Sequence, residues 1–507
     1  MHYNNPIIPG FHPDPSICRV GDDYFLVNSS FEYFPGVPLF HSRDLIHWEQ
    51  IGHCLTRTSQ LDLRKAWKCN GIFAPTIRYH QGTFYMITTN VSSQGNFFVT
   101  TQDPYGEWSD PIWFQHRGID PSLYFDDDGT VYMTGSHNEA GFGATGILQC
   151  QLDITTGQCL TEPRIIWQGT GGKGPEGPHL FKKDGLYYLL IAEGGTEYGH
   201  MVTIARSTSP WGPFESCPHN PILSHRSLDD AIQITGHGDF VEDQQGNWWM
   251  VCLAVRPNGY PPCHHLGRET FLTPITWTND GWPIITGGRL KLVTEAPCLP
   301  SQLVPIFPAR DDFDQPQLRP YWNFLRNPDM TRYSLSERPG WLQLRGSSSS
   351  IAGKGAVTWL GRRQEHFICR ITTLLDFEPQ IDGEEAGLIV RMDAQHHYEI
   401  AVTRLEGEQR IIARRTIGTL SAIVANVAFP AGPIQLGIDA THDLYTLTFT
   451  AVDQVEQILA RGETRYLSTE VAGGFTGVYF AIYASGNGQE CQTPAYFDWF
   501  DYQPGLE

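Results

Sequence analysis

What is missing narrows the reading first. No stretch of about 18 uninterrupted apolar residues exists, so no segment qualifies as a membrane-spanning helix. Positive charge is scarce: 35 Lys and Arg stand against 55 Asp and Glu, a formal net charge of −20. Nucleic acid needs a basic footprint for its phosphates, so that partner is argued against, whereas an uncharged sugar is compatible. Helical periodicity of useful length is absent. The 11 cysteines contain no CxxC pair and no dense framework, which points to buried, reduced thiols. The opening Met1-His2-Tyr3-Asn4-Asn5-Pro6 lacks the basic segment and apolar run of a secretory signal, and a cytoplasmic protein is expected. The glycosylation patterns Asn28-Ser29-Ser30 and Asn90-Val91-Ser92 are then coincidental. The closing Leu506-Glu507 reads equally as native sequence or as a cloning remnant.

What is present is an all-β texture. Aromatics at 12%, with 51 Gly and 35 Pro, suit short strands and many tight turns. One unit recurs five times: a polar residue beside Pro or Gly, a short apolar strand, a Gly turn, then an aromatic-rich strand. Its openings are Asp14-Pro15-Ser16, Ala74-Pro75-Thr76, Asp120-Pro121-Ser122, Glu176-Gly177-Pro178-His179 and His237-Gly238-Asp239. The turn glycines are Gly21, Gly82, Gly129, Gly185 and Gly246, roughly 50–60 residues apart. A second, outward strand pair follows in each unit, for example Thr270-Phe271-Leu272-Thr273 before the Asn279-Asp280-Gly281 turn. Repeats of that size, with about four strands each, predict a five-bladed β-propeller. Prolines at 297, 300, 305 and 308 mark a linker. Beyond it, short alternating strands such as Trp341-Leu342-Gln343-Leu344-Arg345 predict a β-sandwich. The expected division is propeller 1–295, linker 296–312 and sandwich 313–507.

Equivalent positions of successive blades face one axis, so Asp14, Asp120 and Glu176 converge. An isolated Asp-Pro is more often a turn cap; three carboxylates in matching register are not explained that way. Other features carry less. His264-His265 and His396-His397 lack the i, i+4 spacing of a helical zinc site. Thr170-Gly171-Gly172-Lys173-Gly174 has the glycines of a phosphate loop without its Lys-Ser/Thr ending.

The ordered motifs Asn5-Pro6-Ile7 through Ser16, Gly118-Ile119-Asp120-Pro121-Ser122, Pro175 through His179 and Gly267-Arg268-Glu269-Thr270-Phe271, ahead of a sandwich, resemble glycoside hydrolase family 43. The likeness covers essentially the whole chain and is to its two-domain β-xylosidases and α-L-arabinofuranosidases. It implies a concanavalin-like jelly roll for the sandwich and an exo-acting, inverting hydrolase. Such an enzyme would release terminal β-D-xylose from xylo-oligosaccharides, α-L-arabinofuranose from arabinoxylan-type side chains, or both. By the same resemblance Asp14 is the general base, Glu176 the general acid, and Asp120 the carboxylate that tunes and orients the acid. Inversion needs a water between base and acid, and hence a separation of roughly 6.5–9.5 Å.

The resemblance assigns Arg268 to hydrogen bonds with the innermost sugar; by itself it reads equally as a surface salt bridge to Glu269. Phe31 and Phe73 are implied as sugar-facing walls, with Phe73 standing where many relatives carry Trp. Otherwise each is an ordinary core aromatic. His237 matches a histidine near the propeller axis, often beside a water-bound calcium; judged alone it is a buried, satisfied histidine. The chemistry requires no cofactor. Gly473-Gly474-Phe475-Thr476-Gly477 resembles a loop that enters the propeller mouth, which would make Phe475 a lid. A homo-oligomer is in keeping with the family. The rival reading is a carbohydrate-binding propeller without turnover, which would have no need of all three carboxylates.

Overall fold

The computed structural model describes residues 2–137, 145–296, 299, 309–429, 431–452 and 454–505. Leu506-Glu507 and most of the expected linker lie outside them.

Period-2 apolar runs punctuated by glycine turns fold as five antiparallel sheets, four of them four-stranded and the fourth blade carrying a fifth short strand, Leu223–Ser224. Their innermost strands are Ser16–Val20, Thr76–His80, Ile119–Phe125, Glu176–Lys183 and Gln233–Glu242. Each contacts the innermost strand of the next blade, and the fifth returns to the first, so the ring closes. The chain start fastens that closure: His2–Asn4 pairs with Val293–Glu295, and the Asn5 side chain exchanges hydrogen bonds with Leu272 N–H and C=O. At the inner rim Asp239 accepts from Ser16 Oγ at 2.7 Å and Arg78 Nη1 at 2.8 Å, so one carboxylate ties blades one, two and five.

The remainder forms two packed sheets of eight strands, with its own pairing already begun at Arg310–Asp311. One strand of the second sheet comes from the propeller: Tyr33–Phe34 pairs antiparallel with Asn323–Leu325. The central strands of this sheet are covered on both faces, which explains a departure from the expected alternation. Cys369–Asp376 in the first sheet alternates between buried and half-exposed, while Glu385–Asp393 in the second is buried throughout. One apolar core runs from Phe25 and Phe84 of the propeller to Trp322 and Phe324 of the sandwich. Polar ties cross the same boundary. Arg391 meets Glu32 at 3.2 Å and Arg363 donates to Phe11 C=O at 2.7 Å, all within the interior. Removing one partner of such a pair strands a buried charge, so each half depends on the other.

Candidate active site

The inner strands are not regular where they reach the axis, and the irregularity aims the side chains. Asp14, Asp120 and His237 have φ of 54°, 53° and 45°, and Gly177 takes the same left-handed conformation at 56°. Left-handed backbone is costly for a residue with a Cβ, least so for Asp or Asn, and tends to persist where function holds it. Register shifts between Ile119 and Ser122, between Glu176 and His179, and between Gln233 and Asp239 mark bulges in blades three, four and five. A bulge turns a strand end without breaking the sheet.

These turns bring the expected residues together. Asp14, Phe31, Phe73, Asp120, Glu176, His237, Arg268 and Phe475 all line one cavity of about 90 Å³, with Thr196 beside them. The space is well below the ~300–1,000 Å³ of drug-sized sites, which suits one small ring and not a chain segment. Arg268 is not a surface residue: it is buried, its Nη1 lies 2.5 Å from Asp14 Oδ1, and Glu269 pairs with Arg256 instead. The guanidinium sits 5.7 Å from the Phe31 ring centre and 5.8 Å from that of Phe475. Phe31 and Phe475 face each other with ring centres 6.3 Å apart, and Phe73 packs against Phe31 at 5.3 Å.

Phe475 belongs to the sandwich, yet its side chain reaches the propeller mouth and stays 41% exposed. Its loop is tied down from the propeller side. Phe475 N–H donates to Cys69 Sγ at 3.1 Å, Arg268 Nη2 donates to Phe475 C=O at 3.3 Å, and Val478 N–H donates to His265 C=O at 2.9 Å. Glycine is required here twice over: a Cβ on Gly474 would meet Cys69 Sγ at 2.3 Å, and one on Gly477 would meet Leu266 C=O at 2.4 Å.

The three carboxyls are all buried but respond in opposite directions. Burial pushes the Asp14 carboxyl up, but Arg268, His237 at 3.9 Å and the Ser29 hydroxyl at 2.5 Å together hold it below the usual carboxylate range. On Glu176 the charges of Arg268 and Lys173 act in the same sense but do not prevail. Burial, then the negative charge of Asp14, raises it to about 7, with Thr196 Oγ1 3.5 Å and His200 Nδ1 3.8 Å from its Oε1. Asp120, which accepts from Gly177 N–H at 3.2 Å, is pushed well up by burial and by repulsion from Glu176 and Asp14. Near neutral pH the site therefore offers one ionised carboxylate and a carboxylic acid within a single-ring pocket, the pair of states that acid–base cleavage of an acetal needs.

Ser29, Thr196 and His200 carry no motif and were not anticipated; each is placed by a loop whose partner lies elsewhere in the sequence. His237 stands against Gly177, where a Cβ would meet its ring at 2.9 Å. Calcium takes six to eight oxygen ligands. Among the described residues no three His, Cys, Asp or Glu side chains gather to hold an ion, around His237 or elsewhere. His264 hydrogen-bonds Glu470 of the sandwich at 2.8 Å, and His396 bonds Asp393 at 2.9 Å.

The family model for glycosyl hydrolases family 43 matches residues 3–283, and that for the β-xylosidase C-terminal concanavalin A-like domain matches residues 310–503. The chain belongs to glycoside hydrolase family 43. This glycosidase is 45% identical, over 99% of its length and 94% of the relative's, to a non-reducing end α-L-arabinofuranosidase of Bacteroides ovatus. It is 39% identical to a xylosidase/arabinosidase of Butyrivibrio fibrisolvens, with 98% of each chain covered. Among solved structures, a xylan β-1,4-xylosidase from Bacillus halodurans superposes with a TM-score of 0.95 at 38% identity, covering 99% of this chain and 100% of the other. The resemblance seen in the motifs thus extends through both halves of the glycosidase, and its non-catalytic rival finds no support.

Proposed function

We propose that this glycosidase removes single terminal pentosyl residues, β-D-xylose from xylo-oligosaccharides and α-L-arabinofuranose from arabinoxylan-type side chains, with inversion at the anomeric carbon. Asp14 takes a proton from a water, the water oxygen attacks the anomeric carbon, and Glu176 gives its proton to the departing glycosidic oxygen. Asp120 accepts from the Gly177 amide next to Glu176 and so orients the backbone that carries the acid. Arg268 holds Asp14 ionised and binds sugar hydroxyls, while Phe31, Phe73 and Phe475 cover the ring's C–H faces. The observation that carries the reading is the opposed protonation of Asp14 and Glu176 inside a cavity sized for one ring. The names of the relatives support both pentoses.

The test is proton NMR of the first product from xylobiose, alongside turnover of the β-D-xylopyranoside and α-L-arabinofuranoside of nitrophenol. An inverted anomer is expected; a retained anomer rejects the roles given to Asp14 and Glu176, and inactivity on one glycoside removes that sugar. Two further parts of the reading stand apart from the chemistry. A hydrated calcium beside His237 would raise the melting temperature, and EDTA dialysis without effect removes it. A cytoplasmic location fits the free thiols of the ten described cysteines, and detection in a periplasmic or secreted fraction overturns it.

A further inference from the structure

The glycine-rich segment Thr170 to Gly174 has the amides of an anion cradle but none of a phosphate loop's other parts. The anion it holds is the chain's own Glu193. Thr170 N–H donates to both carboxylate oxygens at 3.0 Å, and Gly172 N–H donates to Oε1 at 2.9 Å. The hydroxyls of Thr170 and Thr203 donate to Oε2 at 3.0 and 2.6 Å. Glu193 has no exposed surface. The glycines are what let the loop close on it: a Cβ at Gly169 would stand 2.5 Å from Glu193 Oε1, and one at Gly172 would stand 3.0 Å from the same atom. Successive backbone N–H groups around a carboxylate form an anion nest.

This nest lies directly upstream of Glu176. The loop leads through Pro175 into the acid, and the Cα opposite Glu176 in the neighbouring strand is that of Ala192, immediately before Glu193. Downstream of Glu193 the chain turns at once: Gly194 N–H donates to Lys173 C=O at 2.7 Å, and two residues on Thr196 presents its hydroxyl to Glu176 Oε1. Both segments that flank the acid are therefore anchored on one carboxylate that does not itself touch the cavity.

We propose that Glu193 is a positioning residue for the general acid: by filling the nest of Thr170 and Gly172 it fixes the height and direction of Glu176 at the leaving-group oxygen. The inference rests on the reading of Glu176 as the acid. In Glu193→Gln the amide nitrogen replaces an acceptor with a donor facing other donors, so the loop shifts while the volume is kept. Misplacement of a catalytic group by about 1 Å costs on the order of 10²-fold. That cost falls where protonation matters.

Turnover is measured on xylobiose and on a nitrophenyl pentoside, whose leaving group needs little protonation, for wild type, Glu193→Gln, Gly172→Ala and Glu176→Gln. The expected result is a loss of roughly 10²-fold on xylobiose and only a few-fold on the aryl glycoside for Glu193→Gln. Gly172→Ala, whose Cβ would press on the Glu193 side chain from the loop, should show the same selectivity and decides the matter if Glu193→Gln does not fold. Equal losses on both substrates overturn the inference. If Glu176→Gln itself shows no leaving-group dependence, the assignment of the acid fails first and the inference falls with it.

Discussion

Asp14 and Glu176 face each other across one sugar-sized cavity and are both withdrawn from water, yet burial acts on them with opposite outcomes. At Asp14 a guanidinium 2.5 Å away, an imidazole and a hydroxyl more than offset desolvation. At Glu176 the same guanidinium and Lys173 pull the other way without prevailing, and desolvation, reinforced by Asp14's own charge, holds the proton on to about pH 7. Burial alone does not make an acid or a base; the partner does. The division follows the architecture: Arg268 comes from blade five and bonds directly to Asp14 of blade one, while the hydrogen-bond partner of the blade-four carboxyl is the neutral hydroxyl of Thr196.

The strongest way to break the contrast is Asp14→Asn. It keeps the shape, removes the carboxylate that Arg268 holds ionised, and should lower kcat by about 10²–10⁴-fold on xylobiose and on aryl glycosides alike. Near-normal turnover of either substrate would take the base role away. Glu176→Gln removes the other side. It should cost about as much on xylobiose but little on a nitrophenyl pentoside, and should abolish the alkaline limb of the pH profile. The sign is fixed by the proton: wild-type activity on xylobiose needs Glu176 protonated, so it falls as pH rises through about 7.

Arg268→Met tests the partner itself. With the guanidinium gone, burial is left to raise the Asp14 carboxyl, so the acid limb of kcat/KM should move to higher pH on top of a loss of sugar binding. An unmoved acid limb would show that Arg268 does not set the charge of Asp14. The smallest effect is expected from Phe475→Ala. Opening the mouth should raise KM several-fold with kcat little changed, about the worth of one aromatic contact, and admit internal sites of xylan. Unchanged KM and no internal fragments would mean that the sandwich supplies no wall.

The repeats made the propeller legible because each blade restates one local pattern, and a five-fold pattern needs no long-range information to be seen. Asp14, Asp120, Glu176 and His237 were legible for the same reason, as matching positions in that pattern. Ser29, Thr196 and His200 were not, since a lone Ser, Thr or His in a loop is indistinguishable from any other until the fold chooses its neighbour. Phe475 was readable only through its glycines and the likeness of its loop to one that enters the propeller mouth. The fully buried Glu385–Asp393 strand shows the limit most clearly: its sequence does not say that a second face will be covered by another part of the chain.

By itself, then, the sequence determined the all-β character, the five repeats, and which carboxylates would share an axis. Those properties follow from side-chain periodicity, turn chemistry and register, which are local. The tertiary structure decided which carboxylate keeps its proton, which strand of the propeller completes the sandwich sheet, and which aromatic of the sandwich completes the pocket. Each of these depends on electrostatic or van der Waals contacts between residues far apart in the chain, such as Asp14 with Arg268 or Cys69 with Phe475. Such contacts act over a few ångströms and exist only once the ring has closed and the sandwich has docked on it.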